Sequence, residues 1–157
     1  MKKIVFLVLE VFCFVAFTTK ENSAYKCMIQ MKNYAGEGAY ISVSLLNPDG
    51  SYAKTLQVLG DDKEWYPEVD HWWEFYKTSN QKIDAITGAT IAGGQRKILS
   101  IVLDDATIDA GYKIRFETSV ENNEYYKDDV EFELTSNTVK TKTEGNGFIR
   151  YVRMMPK

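Results

Sequence analysis

Two threonine hydroxyls between residues 84 and 94 are the side chains whose type and spacing most suggest chemistry. Thr87 and Thr90 flank Gly88 and Ala89, and the carboxylate of Asp84 lies upstream of both. A threonine hydroxyl is a weak nucleophile that needs a base and a metal, so another protein would have to supply them. Gly88 and Ala89 would leave the approach to Thr90 open, and Asp84 and Thr87 would fix the loop by local hydrogen bonds. The structural alternative is that both threonines only stabilise a turn before the next strand.

Aromatic side chains concentrated between residues 65 and 76 suggest a second kind of site. Their faces are suited to stacking on a sugar, a flavin ring or a peptide. Val69, Trp72, Trp73 and Tyr76 recur at the spacing of one helix face, with Pro67 placed in the first turn. Such a stripe is more typical of packing, which would close the open end of a sandwich. The candidates for a binding surface are Trp65, Tyr66, Trp72, Trp73 and Tyr76.

Charge and composition argue against several classes of protein. The formal net charge is −3 with interspersed signs, which predicts no basic face for nucleic acid or anionic lipid. Because His71 is the only histidine, a histidine metal site or a Ser-His-Asp triad has no second member. The acidic pairs at 61–62, 104–105 and 128–129 lack the spacing of a calcium loop, so a hydrated surface is expected there. We therefore predict no catalytic residue and no metal ligand, and a protein that is not an enzyme.

The amino-terminal 24 residues have the pattern of a secretory signal peptide. Two lysines precede an apolar run over residues 4–17, which is shorter than the roughly 20 residues of a membrane span. Small residues before Tyr25 offer a cleavage point. The predicted mature domain is residues 25–157, located in the periplasm or secreted, with no membrane span. This domain has one cysteine, Cys27. It belongs to the alternating set Cys27, Ile29 and Met31, which favours a core-facing position in a first strand.

Alternating apolar and polar residues predict seven or eight short strands. Residues 40–46 and 52–59 flank a turn that contains proline and glycine, which is typical of a hairpin. Residues 97–103 form a nearly continuous apolar run, expected in a strand that is covered on both faces. Residues 138–142 and 148–154 are predicted to form a closing pair. The pattern as a whole predicts an all-β sandwich with one short helical insertion, the Trp-rich insertion, over residues 65–76.

Several short motifs resemble those of a family of uncharacterised, predicted periplasmic bacterial proteins. They are Lys54-Thr55-Leu56, Trp65-Tyr66-Pro67, Trp72-Trp73 and Asp84-Ala85-Ile86-Thr87-Gly88-Ala89-Thr90. Members look distantly like the immunoglobulin-like part of flagellar hook-capping proteins, which implies an immunoglobulin-like antiparallel β-sandwich. Their genes tend to accompany those of periplasmic flavin transferases and PepSY-type membrane proteins. The resemblance therefore implies these two classes as partners, in a redox or metal-acquisition setting.

The same threonine segment is also similar to the acceptor motif of flavin-transferase substrates, Asp-x-x-Ser/Thr-Gly-Ala-Thr. In those proteins the last threonine carries flavin mononucleotide (FMN) through a phosphodiester bond, which implies Thr90 as the acceptor here. Acceptor motifs commonly continue with Ser or Thr, whereas Ile91 follows in this chain, and the usual flavin-carrying domain is not apparent. The other motif residues are Asp84, Thr87, Gly88 and Ala89.

Two functions of different classes follow from these patterns. The first is an exported, non-enzymatic sandwich module that binds a partner protein or ligand in a redox or metal-acquisition system. The alternative is a covalently flavinylated electron carrier with FMN on Thr90, in which the cofactor supplies the redox chemistry. An exposed Thr90 hydroxyl would favour the carrier, and one buried in the core would oppose it.

Overall fold

The computed structural model of the protein describes residues 21–157. The predicted signal peptide, apart from residues 21–24, lies outside the described residues. Nine strands and one α-helix, α1 (Asp70–Ser79), are present in the described range. The strands are β1 (Asn22–Met31), β2 (Tyr40–Leu46), β3 (Tyr52–Leu59), β4 (Thr87–Gly88), β5 (Arg96–Asp104), β6 (Lys113–Ser119), β7 (Tyr125–Glu133), β8 (Lys142–Glu144) and β9 (Ile149–Pro156). Short 3-10 helices span Lys63–Glu68, Asp84–Ile86, Asp105–Thr107 and Thr138–Lys140.

The strands form two sheets that pack face to face, which confirms the predicted β-sandwich. The four-stranded sheet has the order β5-β1-β9-β8, and the five-stranded sheet has the order β4-β3-β2-β6-β7. All neighbours are antiparallel except β3 and β4, which are parallel. The predicted hairpin is β2–β3, and its turn is closed by hydrogen bonds between Asn47 and Ser51.

The space between the sheets is filled by the inward-facing half of each alternating strand. On β1, Cys27, Ile29 and Met31 are buried in this core, as the alternation predicted. Burial also raises the pKa of the Cys27 thiol to about 12, so the thiol stays neutral and unreactive at physiological pH. On β6, Ile114 and Phe116 face the same core.

The prediction that residues 97–103 are covered on both faces is wrong. Strand β5 lies at the edge of the four-stranded sheet, and only its inner face, which includes Ile101 and Leu103, packs into the core. On its outer face, Ile98 is 59% exposed and Val102 is 54% exposed. A continuous apolar run shows that both faces could be buried, but the strand's place in the sheet decides whether a second layer covers it.

The carboxy-terminal closing pair forms later in the chain than predicted. Thr138–Lys140 is a single 3-10 turn, and pairing with β9 begins only at Lys142.

The acidic pair at 128–129 was expected on a hydrated surface, yet Asp129 is fully buried. Its carboxylate accepts hydrogen bonds from the Thr118 hydroxyl and from the backbone N–H groups of Gly147 and Ile149, at 2.7 to 2.9 Å. The carboxylate therefore joins β6 to the loop before β9.

The Trp-rich insertion packs on the outer face of the five-stranded sheet, whereas the sequence predicted that it closes an end of the sandwich. Pro67 lies inside the preceding 3-10 helix and not in the first turn of α1. Helix α1 ends at Ser79, and the following residue, Asn80, adopts a left-handed conformation with φ of 52°, as is typical after a helix C-terminus. The outward-facing side chains of Ser42 and Ser44 on β2 are consequently buried. Strand β2, at the centre of this sheet, is therefore buried on both of its faces.

Candidate functional site

The segment from Asp84 to Ile91 runs along the rim of the five-stranded sheet and is fixed at two points. Thr87 and Gly88 pair with the end of β3, and the Gly60 N–H donates to the Gly88 carbonyl at 2.6 Å. Further on, Ile91 forms an isolated antiparallel bridge with Ala39. Thr90 lies between these two anchors, so its backbone position is set by pairing on both sides.

Thr87 has a structural role in this segment. Its hydroxyl donates to the Ile83 carbonyl at 2.8 Å, which closes the single 3-10 turn that precedes β4. This is the local side-chain bond that the sequence predicted for Thr87. Asp84 does not share that role, since its side chain is 82% exposed and lies 3.5 Å from the Lys63 ammonium. The two residues therefore act separately on the loop.

Thr90 has a partly exposed side chain, and its hydroxyl makes no hydrogen bond with any residue between 21 and 157. The side chain lies over the backbone of Gly38, where a Cβ atom would come within 2.3 Å of the Thr90 Oγ1. Glycine at position 38 is thus required for Thr90 to take this place. The adjacent Ile91 is buried, and its carbonyl accepts from the Tyr34 hydroxyl at 2.9 Å. Ile91 therefore anchors this end of the rim segment in the core.

A cation lies beside the candidate acceptor. The Lys97 ammonium donates to the Ala89 carbonyl at 2.9 Å, and Ala89 itself is exposed. A phosphate group attached to Thr90 would therefore be close to a positive charge, which is favourable for an anion. The sequence analysis singled out neither residue: Gly38 comes from a distant segment of the chain, and Lys97 lies on the following strand, β5.

The aromatic cluster forms a second core and is only partly available for binding. Tyr66 and Trp72 are fully buried with Val69 and Tyr40, so these two candidates are not part of any surface. The Trp72 indole N–H donates to the Thr55 hydroxyl at 3.0 Å, which attaches α1 to β3. Partly buried members of the cluster remain at its margin, and for these the binding prediction stays a prediction: Trp65, Trp73 and Tyr76.

Beneath the insertion lies a buried carboxylate that the sequence did not single out. Glu117 accepts hydrogen bonds from the Tyr52 hydroxyl at 2.5 Å, the Tyr125 hydroxyl at 2.5 Å and the Trp72 backbone N–H at 3.2 Å. Burial raises the pKa of the Glu117 carboxyl, although these hydrogen bonds oppose the shift. Burial and the neighbouring carboxylate also raise the pKa of Tyr52 and of Tyr125. The three hydrogen-bond donors to this carboxylate lie on β3, β7 and α1. The carboxylate on β6 therefore attaches α1 to the sheet.

The described residues do not assemble a metal site. No group of three or more His, Cys, Asp or Glu side chains converges between residues 21 and 157. Asp62 and Asp104 instead cap the short helices that follow them, through the N–H groups of Glu64 and Ala106. His71 is exposed and stacks on Tyr125 at a ring separation of 5.9 Å.

The fold and the rim segment together define a β-sandwich with a helical insertion and a partly exposed threonine, Thr90, at the rim of one sheet. A family model described as "Predicted periplasmic protein (DUF2271)" matches residues 22–151, and the chain belongs to that family. This agrees with the predicted family and with its location in the periplasm. None of the helices in residues 21–157 is long and apolar enough to span a bilayer. The comparisons with curated proteins and with solved structures gave no match.

Proposed function

We propose that this protein is an exported, non-enzymatic β-sandwich module that carries FMN covalently on Thr90 as part of a redox or metal-acquisition system. The observation that carries the proposal is the contrast between two neighbouring threonines. The hydroxyl of Thr87 donates to the Ile83 carbonyl, whereas Thr90 is a partly exposed residue whose hydroxyl has no hydrogen-bond partner in residues 21–157. The burial of Tyr66 and Trp72 in the second core weakens the case for ligand binding through the aromatic cluster.

The surroundings of Thr90 fit a covalently attached flavin phosphate in two respects. Lys97 would hold the phosphate by charge, because its ammonium already lies against the carbonyl of the preceding residue. Gly38 leaves the room that the Thr90 side chain occupies. Because the hydroxyl rests on Gly38, transfer requires rotation about the Cα–Cβ bond of Thr90 to another staggered position. When bound, the flavin would supply the electron-transfer chemistry.

Attachment needs an activated flavin and a separate enzyme. The Thr90 Oγ1 would form a bond to the flavin-side phosphorus of a flavin dinucleotide, and the bond between the two phosphates would break. The other nucleotide half would leave, and the hydroxyl proton would pass to a base on the enzyme. A periplasmic flavin transferase is therefore the first proposed partner, and a PepSY-type membrane protein is proposed as the electron-transfer partner.

The proposal is tested by coexpressing the exported chain with a periplasmic flavin transferase. Covalent flavin is then detected as ultraviolet fluorescence on a denaturing gel. We expect a fluorescent band for the wild-type chain and for Thr90→Ser, which keeps a hydroxyl, and no band for Thr90→Ala.

Thr87→Ala is the matched control, since it removes the neighbouring hydroxyl from the same segment. It should remain fluorescent, although the lost turn hydrogen bond would lower stability by about 1 kcal/mol. A colourless wild-type band beside a fluorescent positive-control substrate would refute the proposal, as would a fluorescent Thr90→Ala band.

A further inference from the structure

A positively charged cleft lies on the solvent side of the four-stranded sheet, away from the aromatic cluster. Its volume is about 530 Å³, which is within the range of small-molecule sites. The cleft forms where β1, β5 and β9 come together, and its charged lining residues are Lys32, Arg96 and Arg150. The interspersed charges of the sequence predicted no basic face, so this grouping arises only from the fold.

A β-bulge brings two consecutive residues of β9 to the cleft. Gln30 pairs with Tyr151 and Met31 pairs with Ile149, so Arg150 is the extra residue on β9. Ile149 remains buried, while Arg150 and Tyr151 both line the cleft. Regular alternation would have sent one of these two side chains into the core. Bulges commonly redirect side chains in this way next to functional sites.

Gln30 organises the floor of the cleft. Its amide oxygen accepts from the Arg96 Nε at 3.0 Å, which leaves the terminal nitrogens of the guanidinium free for a ligand. Its amide nitrogen donates to the carbonyl of Gly94 at 3.0 Å and to that of Gln95 at 3.2 Å. The Gly94 N–H in turn donates to the Lys32 carbonyl at 2.8 Å. The cations are therefore carried by a hydrogen-bonded backbone and not by a loose loop.

The charges of the cleft are not balanced within the protein. No carboxylate lines it, and none of Lys32, Arg96 and Arg150 forms an ion pair with an acid in residues 21–157. The chain as a whole has a net charge of −3, whereas the lining of this cleft carries three positive charges and no negative one. Like charges held together repel, and an anion between them removes that repulsion.

We propose that this cleft binds a small organic anion with at least two negative charges, of the phosphate monoester class. A guanidinium presents paired N–H donors that match phosphate oxygens. The side chains of Arg96 and Arg150 would contact the phosphate, and Lys32 would add charge. Tyr151 supplies an apolar wall for an organic group. The site is lined by residues other than Thr90, so it does not depend on attachment of a flavin.

The test uses the exported, processed chain produced without a flavin transferase, and phenyl phosphate and inorganic pyrophosphate as probes. Isothermal titration at low salt should show saturable binding of one anion per chain. Arg96→Gln and Arg150→Gln should each weaken binding by roughly tenfold or more, because each removes a charge-assisted contact. The backbone amide of Gly94 should shift in nuclear magnetic resonance spectra during the titration.

Arg153→Gln is the matched control, because it removes an exposed arginine from the same strand without touching the cleft. It should bind both probes as the wild type does. Equal weakening in all three variants would indicate diffuse charge attraction and would overturn the proposal, as would the absence of saturable binding. Thr90→Ala should bind normally, so failure of the flavin proposal and failure of this one are distinguishable.

Discussion

Replacing Glu117 with alanine should detach the Trp-rich insertion from the sheet that it covers. The carboxylate is fully buried and accepts one hydrogen bond from Tyr52, one from Tyr125 and one from the Trp72 backbone. These donors lie on β3, β7 and α1, so one side chain on β6 joins three other elements. Glu117→Ala would leave all three donors without their acceptor.

The magnitude follows from the burial of each donor. An unsatisfied buried donor costs roughly 1–3 kcal/mol. The Trp72 N–H belongs to a fully buried residue and would bear most of that cost. The hydroxyls of Tyr52 and Tyr125 belong to partly exposed residues and would recover part of it from water. Removing a desolvated carboxylate offsets a further part. We expect a net loss of about 3 kcal/mol, which is a large share of a typical stability of roughly 5–15 kcal/mol.

Urea unfolding followed by two signals tests this prediction. All three tryptophans lie in the insertion, so tryptophan fluorescence reports on the insertion, and far-ultraviolet circular dichroism reports mainly on the strands. The two transitions should coincide in the wild type. In Glu117→Ala, the fluorescence transition should move to lower urea and precede the loss of strand signal.

Glu133→Ala provides the control, because Glu133 is an exposed residue at the end of β7. Its cost should stay within about 0.5 kcal/mol. If Glu117→Ala were no more destabilising than Glu133→Ala, the three hydrogen bonds would not be holding the insertion, and the reasoning would be refuted.

Three further predictions follow from the same geometry. In Gly38→Ala the new Cβ would lie 2.3 Å from the Thr90 Oγ1, so urea unfolding should show a loss of about 1–3 kcal/mol, which Thr90→Gly in the same chain should largely restore. Trp72→Phe loses the hydrogen bond to Thr55, and its free energy of unfolding in urea should be lower by about 2 kcal/mol. An unchanged urea midpoint would count against the second core. The raised pKa of Glu117 means that the unfolded chain releases this proton first, so wild-type stability relative to Glu117→Gln should fall as pH rises above 4.5 and level off above the folded pKa. The opposite slope would contradict the burial.

Local alternation was sufficient to predict the sandwich but not the neighbours of each strand. The β2–β3 hairpin and the buried Cys27 followed directly from period-two patterning and turn residues. The exposed outer face of β5 could not be predicted, because Ile98 and Val102 belong to an apolar run that is typical of a strand covered on both faces. Whether a second layer covers a strand depends on its position in the sheet, which adjacent residues do not encode.

The candidate site shows the same division between local and distant information. The role of Thr87 followed from the sequence, because its hydrogen-bond partner lies four residues away. The contact of Thr90 with Gly38 joins distant segments of the chain. The contact of Lys97 with Ala89 depends on where β5 begins after the rim segment. Both became visible only in the fold. The position of the insertion was likewise not predictable. The alternating polar residues of β2 and β6 are typical of a face in contact with solvent, yet Ser42 and Glu117 are buried beneath α1.

The most direct test of the central claim is the intact mass of the mature protein purified from its native host, followed by fragment analysis. The account predicts a processed chain that carries one FMN, with the added mass on the fragment that contains Thr90. An unmodified mass from cells that express a flavin transferase, or an added flavin on any other residue, would contradict it.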